Sequence, residues 1–243
     1  MTALIEVSGL RKSYGDRVVL NDVSLSVQPH DVICLIGSSG SGKSTLLRCL
    51  NLLEGIDDGV ITFEGREISD PRVDPREVRS QIGMVFQAYN LFPHLTVLEN
   101  CTLAPRLVHG VRRADAEARA RDLLARFGLE EHADKHPDRM SGGQQQRAAL
   151  VRAMCTSPTL LLLDEITAAL DPELVGDVLA IVRAEAEAGT TMILATHEMD
   201  FARDVATSVC FLDEGRILEQ GPPSEIFTAP REERTRQFLR RVL

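Results

Sequence analysis

The sequence predicts an α/β fold: a mixed, largely parallel sheet flanked by helices, with an N-terminal antiparallel β region and an inserted α-helical region. Three observations carry this. A short apolar run, Val32–Ile36, leads through a glycine-rich loop into the helical stretch Leu46–Leu53. From Leu160 onward, apolar runs alternate with helical stretches, as parallel strands do with their crossover helices. Between these parts the chain turns rich in Ala, Arg, Glu and Asp, which changes the prediction from strands to helices.

Taken in order, Leu4–Val7, Val18–Leu20, Val23–Val27, Val32–Ile36 and Val60–Phe63 read as strands separated by turn residues. Ile82–Phe86 is a further short strand. Ala114–Phe127 spaces Leu123, Leu124 and Phe127 along one helical face. Ser141–Thr156 is a second helix, with no glycine after Gly143. Leu160–Leu163 then reads as a buried strand, Pro172–Ala188 as a helix, and Met192–Ala195 and Ser208–Leu212 as strands. Glu232–Val242 is a short terminal helix. The expected organisation is one domain over 1–243, with a nucleotide-binding core in 1–87 and 154–243 and a helical subdomain in 88–153.

The chain has 243 residues and a net charge of 27 − 36 = −9. That balance argues against a nucleic-acid partner, which calls for a basic footprint. The five cysteines, Cys34, Cys49, Cys101, Cys155 and Cys210, form no C-x-x-C pair and read as scattered reduced thiols. The first residues show no basic-then-apolar signal pattern. No stretch approaches the ~18 apolar residues of a membrane span. A soluble chain is expected, with any membrane contact made through a partner.

Gly37-Ser38-Ser39-Gly40-Ser41-Gly42-Lys43-Ser44-Thr45 spells G-x-x-x-x-G-K-[ST], a loop whose backbone N–H groups wrap nucleotide phosphates. The strand before it and the helix after it supply the context the motif needs, and the helix start adds a favourable dipole. Lys43 is expected to reach the β- and γ-phosphates, and the Ser44 hydroxyl to ligate Mg²⁺. Leu160–Leu163 runs into Asp164-Glu165. Carboxylates at the C-terminal end of a parallel strand face the ligand crevice. There Asp164 suits the Mg²⁺ shell and Glu165 suits polarising an attacking water. In Ser141-Gly142-Gly143-Gln144, Ser141 is a natural N-cap, and two bare glycines leave N–H groups open to an anion. Paired glycines inside a helix cost about 1 kcal/mol each against Ala, so a plain helix start would not choose them.

These three segments, in the chain order Gly37–Thr45, Ser141–Gln144 and Asp164–Glu165, resemble the ATPase subunits of ATP-binding cassette transporters, over nearly the whole chain. The phosphate loop is shared by many NTPases, whereas Ser-Gly-Gly-Gln is specific to that family. The resemblance implies ATP and Mg²⁺ as ligands and a P-loop NTPase core. It further implies that Gln87 touches Mg²⁺ or water and hinges the helical insert. His197 resembles the switch histidine at the γ-phosphate, Asp171 the Asp that communicates across a dimer, and Tyr14 the aromatic that stacks on adenine. Read alone, His197 is better explained as a satisfied structural residue, Gln87 carries no signal, and Tyr14 is equally an ordinary surface residue. Ile166 stands where the family usually has Pro; Ile also favours extended backbone, so a small change of geometry is expected.

The family geometry implies two copies packed head to tail, each ATP clamped between Lys43, Ser44 and Asp164 of one and Ser141–Gly143 of the other. The segment Val85–Asn100 and the ending Pro230–Leu239 resemble ATPases of bacterial polar amino acid uptake systems. Phe92-Pro93, which read alone is equally a rigid turn buried within the insert or an exposed apolar knob, would then be a knob that docks a permease. The implied partners are integral membrane permease subunits and, through them, an extracytoplasmic substrate-binding protein. The implied place is the cytoplasmic face of the membrane. An exporter or lipid-handling ATPase of the same fold, and a non-transport cassette ATPase, are the alternatives. Recruitment by a permease stimulated by a binding protein would separate the first reading from both.

Overall fold

A computed structural model describes residues 2–243. Two sheets share one layer of helix. β1 (Ile5–Tyr14) and β2 (Arg17–Val27) form an antiparallel hairpin, which β4 (Asp58–Phe63) and β5 (Arg66–Glu67) extend into a sheet of order β2-β1-β4-β5. The second sheet has the order β10-β9-β3-β8-β7-β6. It comprises β3 (Val32–Ile36), β6 (Ile82–Val85), β7 (Leu160–Asp164), β8 (Met192–Ala195), β9 (Ser208–Asp213) and β10 (Arg216–Gly221). All its pairings are parallel except that of β10, which closes one edge antiparallel to β9.

Every residue of β3, β7 and β8 is buried. Their alternating side chains feed two cores. Ile33, Leu35, Leu160, Leu162 and Ile193 pack with α1 (Lys43–Leu50) and the antiparallel sheet. Cys34, Ile36, Leu161, Leu163 and Leu194 pack on the opposite face with the remaining helices. A strand buried on both faces has no polar side to show, which is why these runs are continuously apolar.

The helices of the middle stretch are α3 (Val97–Leu107), α4 (Arg113–Arg126) and α5 (Gly142–Met154), and α3 packs on both of the others. The core carries α2 (Pro75–Gln81), α6 (Pro172–Glu187), α7 (Met199–Val205), α8 (Pro223–Ile226) and α9 (Glu233–Val242). Among the described residues no helix is long and apolar enough to cross a membrane. All five cysteines are free and buried.

The differences from expectation have local causes. Val18–Leu20 and Val23–Val27 belong to one strand, β2; the register slips opposite Asp22, which takes a left-handed φ of 60°. β10 escaped notice because it is an edge strand of alternating exposure. α3 was hidden by Pro105 near its end, although Thr96 and Glu99 form a reciprocal cap at its start. α9 is seated by Glu219 of β10. Its carboxylate accepts from the backbone N–H of Arg231 at 2.7 Å and of Glu232 at 3.2 Å. It thus serves as an N-terminal cap supplied from another element.

Candidate functional site

The parallel registers bring the expected residues to one edge of the sheet. Leu35 pairs with Ala195, Ala195 with Asp164, and Leu163 with Val85. The residues just past these strands, Gly37, His197, Glu165 and Gln87, therefore emerge together. Ligands of open α/β sheets bind at this carboxyl edge.

The phosphate loop leaves β3 at Gly37, whose φ of 151° brings its Cα against β9; an added Cβ would lie 2.1 Å from the Leu212 carbonyl oxygen. Only glycine meets that demand. α1 begins after Gly42 with no side-chain cap, so its first N–H groups are free to take an anion. The buried Lys43 arches back over the loop. Its Nζ donates to the carbonyl oxygens of Gly37 at 3.0 Å and Ser38 at 3.3 Å and lies 3.4 Å from Glu165 Oε1. Ser44 Oγ donates to Asp164 Oδ1 at 2.6 Å. Ser41 Oγ is buried without a partner, an unfilled valence in a loop built of donors.

Asp164 is almost fully buried at the end of β7. Burial raises its pKa, against the pull of the Ser44 hydrogen bond and the charges of Arg48 and Lys43. Glu165 follows in a left-handed turn, φ 47°, its N–H bonded to the Ala195 carbonyl. Non-glycine residues hold that conformation at a cost, and such costs gather at functional sites. Its Oε1 lies 3.1 Å from His197 Nε2. One carboxylate oxygen thus sits between an ammonium and an imidazole. Tyr14 ends β1 half exposed, with Lys12 Nζ 5.0 Å from its ring centroid. Its pKa is raised by burial first and then by the charge of Glu54.

Oxygen donors from Ser44 and Asp164 at one point fit a divalent cation. Unpartnered N–H groups, Ser41 Oγ and Lys43 fit a polyphosphate. The half-exposed ring of Tyr14 leaves an aromatic face for a base.

Ser141–Gln144 stands elsewhere. Ser141 caps α5, and Gln144 returns the bond: its N–H donates to Ser141 Oγ at 3.3 Å while its Oε1 accepts from the Ser141 N–H at 3.0 Å. Gln144 thus completes a capping box. Among the described residues, no hydrogen bond joins this helix start to Gly37–Thr45. Asp171, at the start of α6, is exposed and makes no side-chain cap. Ile166 is buried in the core among apolar neighbours, so it packs where a rigid Pro was expected.

Sequence reasoning missed Tyr89 and Arg152. Arg152 Nη1 and Nη2 donate to the carbonyl oxygens of Asn90 and Tyr89, which pins the segment after Gln87 to α5. Nothing in the spacing of either residue announces this, because the contact joins elements 60-odd positions apart.

Residues 20–168 match the ABC transporter family. The chain is 47% identical to the glutamine transport ATP-binding protein GlnQ of Bacillus subtilis, over 99% of this chain and 99% of that protein. Among solved structures, cbiO1 of Clostridium perfringens, part of the ABC transporter complex cbiONQ, superposes with a TM-score of 0.84 at 28% identity, covering 100% of this chain and 98% of that one. The ATP-binding cassette MJ0796, in a dimeric post-hydrolysis state with ADP and Pi, superposes with a TM-score of 0.80 at 29% identity, covering 90% of this chain and 98% of that one. A chain alike over its whole length, with a phosphate loop, a strand-end carboxylate pair and a separate Ser141-capped helix that opens on two glycines, belongs to the ABC transporter ATPases.

Proposed function

We propose that this chain is the ATP-hydrolysing subunit of a bacterial importer for polar amino acids or related small zwitterionic solutes. The solute class rests on the likeness to a glutamine transport ATP-binding protein; the observation that carries the ATP-hydrolysing role is the division of the site. Lys43, Ser44, Asp164, Glu165 and His197 converge on one edge, whereas Ser141–Gly143 stands apart on α5. A homodimer packed head to tail joins the two halves, one ATP at each interface.

In that arrangement the loop Gly37–Thr45 and Lys43 bind the phosphates by backbone N–H groups and one ammonium. Tyr14 stacks on the adenine, and Gln87 orients water or the metal. Mg²⁺, held by Ser44 and Asp164, neutralises phosphate charge when bound. Glu165 takes the proton of the attacking water, and His197 holds the γ-phosphate end of the site. Ser141–Gly143 and Gln144 of the other copy offer a second helix start to the same triphosphate, with Asp171 at the junction. ATP then favours the closed pair more than ADP does, because only ATP carries the γ-phosphate charge that both helix starts solvate.

The region 88–153 acts as the helical subdomain of a single domain and passes closure to integral membrane permease subunits on their cytoplasmic face. Support for that contact comes from a surface cavity of about 300 Å³ bordered by Arg76, Arg79, Ala104, Leu107 and Val108. Leu107 and Val108 are 74% and 59% exposed, apolar surface a partner would cover. Phe92, also exposed, is held by Asn100, whose amide bonds the backbone on both sides of Phe92-Pro93. An extracytoplasmic binding protein selects the solute through the permease.

The decisive variant is Glu165→Gln. Turnover falls by roughly 10²- to 10⁴-fold, the usual contribution of a positioned base, while MgATP still binds and drives dimers visible by light scattering. Hydrolysis at the parent rate removes Glu165 from the proposed role.

A further inference from the structure

Gly142 and Gly143 are glycines for a reason the phosphate does not supply. A Cβ on Gly142 would lie 2.8 Å from the hydroxyl oxygen of Tyr89, with the next atoms 3.7 and 3.9 Å away. A Cβ on Gly143 would lie 3.0 Å from Leu174 Cδ1 and 3.3 Å from Leu174 Cβ. The glycine-rich start of α5 is thus packed against its own chain at two points. One is the segment just after Gln87. The other is the first turn of α6, just after Asp171.

Tyr89 makes three connections. Its ring packs half buried against the core, its hydroxyl donates to the Ala169 carbonyl at 3.2 Å, and its backbone carbonyl accepts from Arg152 of α5 at 3.2 Å. Its pKa is raised by burial and then by the charge of Asp171, which puts the phenol within reach of that carboxylate's field.

We infer that Tyr89 is a positioning residue: its hydroxyl keys the Ser141–Gly143 helix start to the Gln87 segment and to the Ala169–Asp171 turn. The inference rests on the shared-nucleotide reading above, because the orientation of this helix start toward its own core sets where it meets the other copy's triphosphate. When closure moves α5, Gln87 and Asp171 move with it through one phenol. Tyr89 takes no part in the chemistry and touches no substrate.

The test is a double-mutant cycle of Tyr89→Phe with Gly142→Ala, read in two ways. In the nucleotide-free chain the two changes are coupled. Gly142→Ala gains helix preference in both backgrounds; in the parent the new methyl drives the hydroxyl off Ala169 and offsets that gain, so its melting temperature shift is less favourable there than in the Tyr89→Phe background, where the clashing oxygen is gone. In the Glu165→Gln chain, Tyr89→Phe weakens MgATP-driven dimerisation about 2- to 10-fold, the range of one ordinary hydrogen bond. MgATP affinity of the monomer holds, which a general loss of fold would not allow. Additive melting shifts, or dimer affinity untouched by Tyr89→Phe, overturn the inference. A Glu165→Gln parent that stays monomeric in saturating MgATP overturns the shared-nucleotide reading and the functional half of the inference with it. The nucleotide-free cycle tells that failure from a failure of the packing, since it needs no nucleotide.

Discussion

Replacing Gly37 by Ala sets two costs in one place. The methyl would meet the Leu212 carbonyl oxygen at 2.1 Å and its carbon at 3.1 Å. Both are backbone atoms of β9, which pairs with β3 through Ile36 and Phe211 at that point. No side chain can turn away to make room. Overpacking of this kind costs about 1–3 kcal/mol, and a non-glycine residue at such a φ about 1–3 kcal/mol more. At roughly 2–4 °C per kcal/mol for a chain of this size, a central sum of about 4 kcal/mol lowers the melting temperature by about 8–16 °C. Gly40 is the control. It too has positive φ, +79°, but nothing lies within 4 Å of its missing Cβ. Gly40→Ala pays only the left-handed backbone term of about 1–2 kcal/mol, less the unfolded-state gain of about 0.4–1 kcal/mol. The net shift is a few degrees. Calorimetric or circular-dichroism melts of the nucleotide-free proteins decide between them. A Gly37→Ala protein that melts with Gly40→Ala, or within about 2 °C of the parent, refutes the reasoning.

Asp164→Asn removes a charge whose burial raises its pKa. A folded pKa above the unfolded one means that the ionised form opposes folding above the ordinary carboxylate range. The variant therefore melts higher than the parent at pH 7, an advantage that fades in acid, while Mg²⁺-dependent ATP binding is lost by calorimetry. A lower melting point at pH 7 contradicts this. Glu219 shows the opposite sign. Burial alone would push its pKa up, but hydrogen bonds from the Arg231 and Glu232 N–H groups and the charge of Arg231 hold it down. Its stabilisation is present at neutral pH and lost as pH falls through its lowered pKa. Glu219→Gln accordingly costs about 1–2 kcal/mol at pH 7 and little in acid; a pH-independent loss speaks against the cap. The five thiols are buried, and burial pushes the pKa of Cys34 and Cys49 up to about 12. Ellman's reagent reacts slowly with the folded protein and titrates five groups once it unfolds; rapid labelling of the native chain contradicts the burial.

The parallel sheet and its order of motifs were legible because fully buried strands write themselves as unbroken apolar runs, as Leu160–Leu163 does. The site residues were legible because each stands at a strand end or a loop of fixed spacing. What stayed hidden depended on contacts between distant positions. Glu219 caps α9 across a sheet edge, Tyr89 reaches Ala169 and Gly142, and Leu174 accounts for Gly143. The two glycines of Ser141–Gln144 were read as room for an anion; their packing against Tyr89 and Leu174 is a second demand on the same atoms. α3 was readable in part, since Thr96 and Glu99 carry a capping spacing that Pro105 obscured.

The oxygen of Glu165 that lies 3.4 Å from Lys43 Nζ and 3.1 Å from His197 Nε2 has a further consequence. That oxygen is engaged by two basic side chains, and the ammonium is turned onto its own loop as well. On the proposed roles, incoming nucleotide must first draw Lys43 away, so arming and loading become one event. On the same roles, an unpaired copy wastes little ATP, and turnover waits for the closed pair.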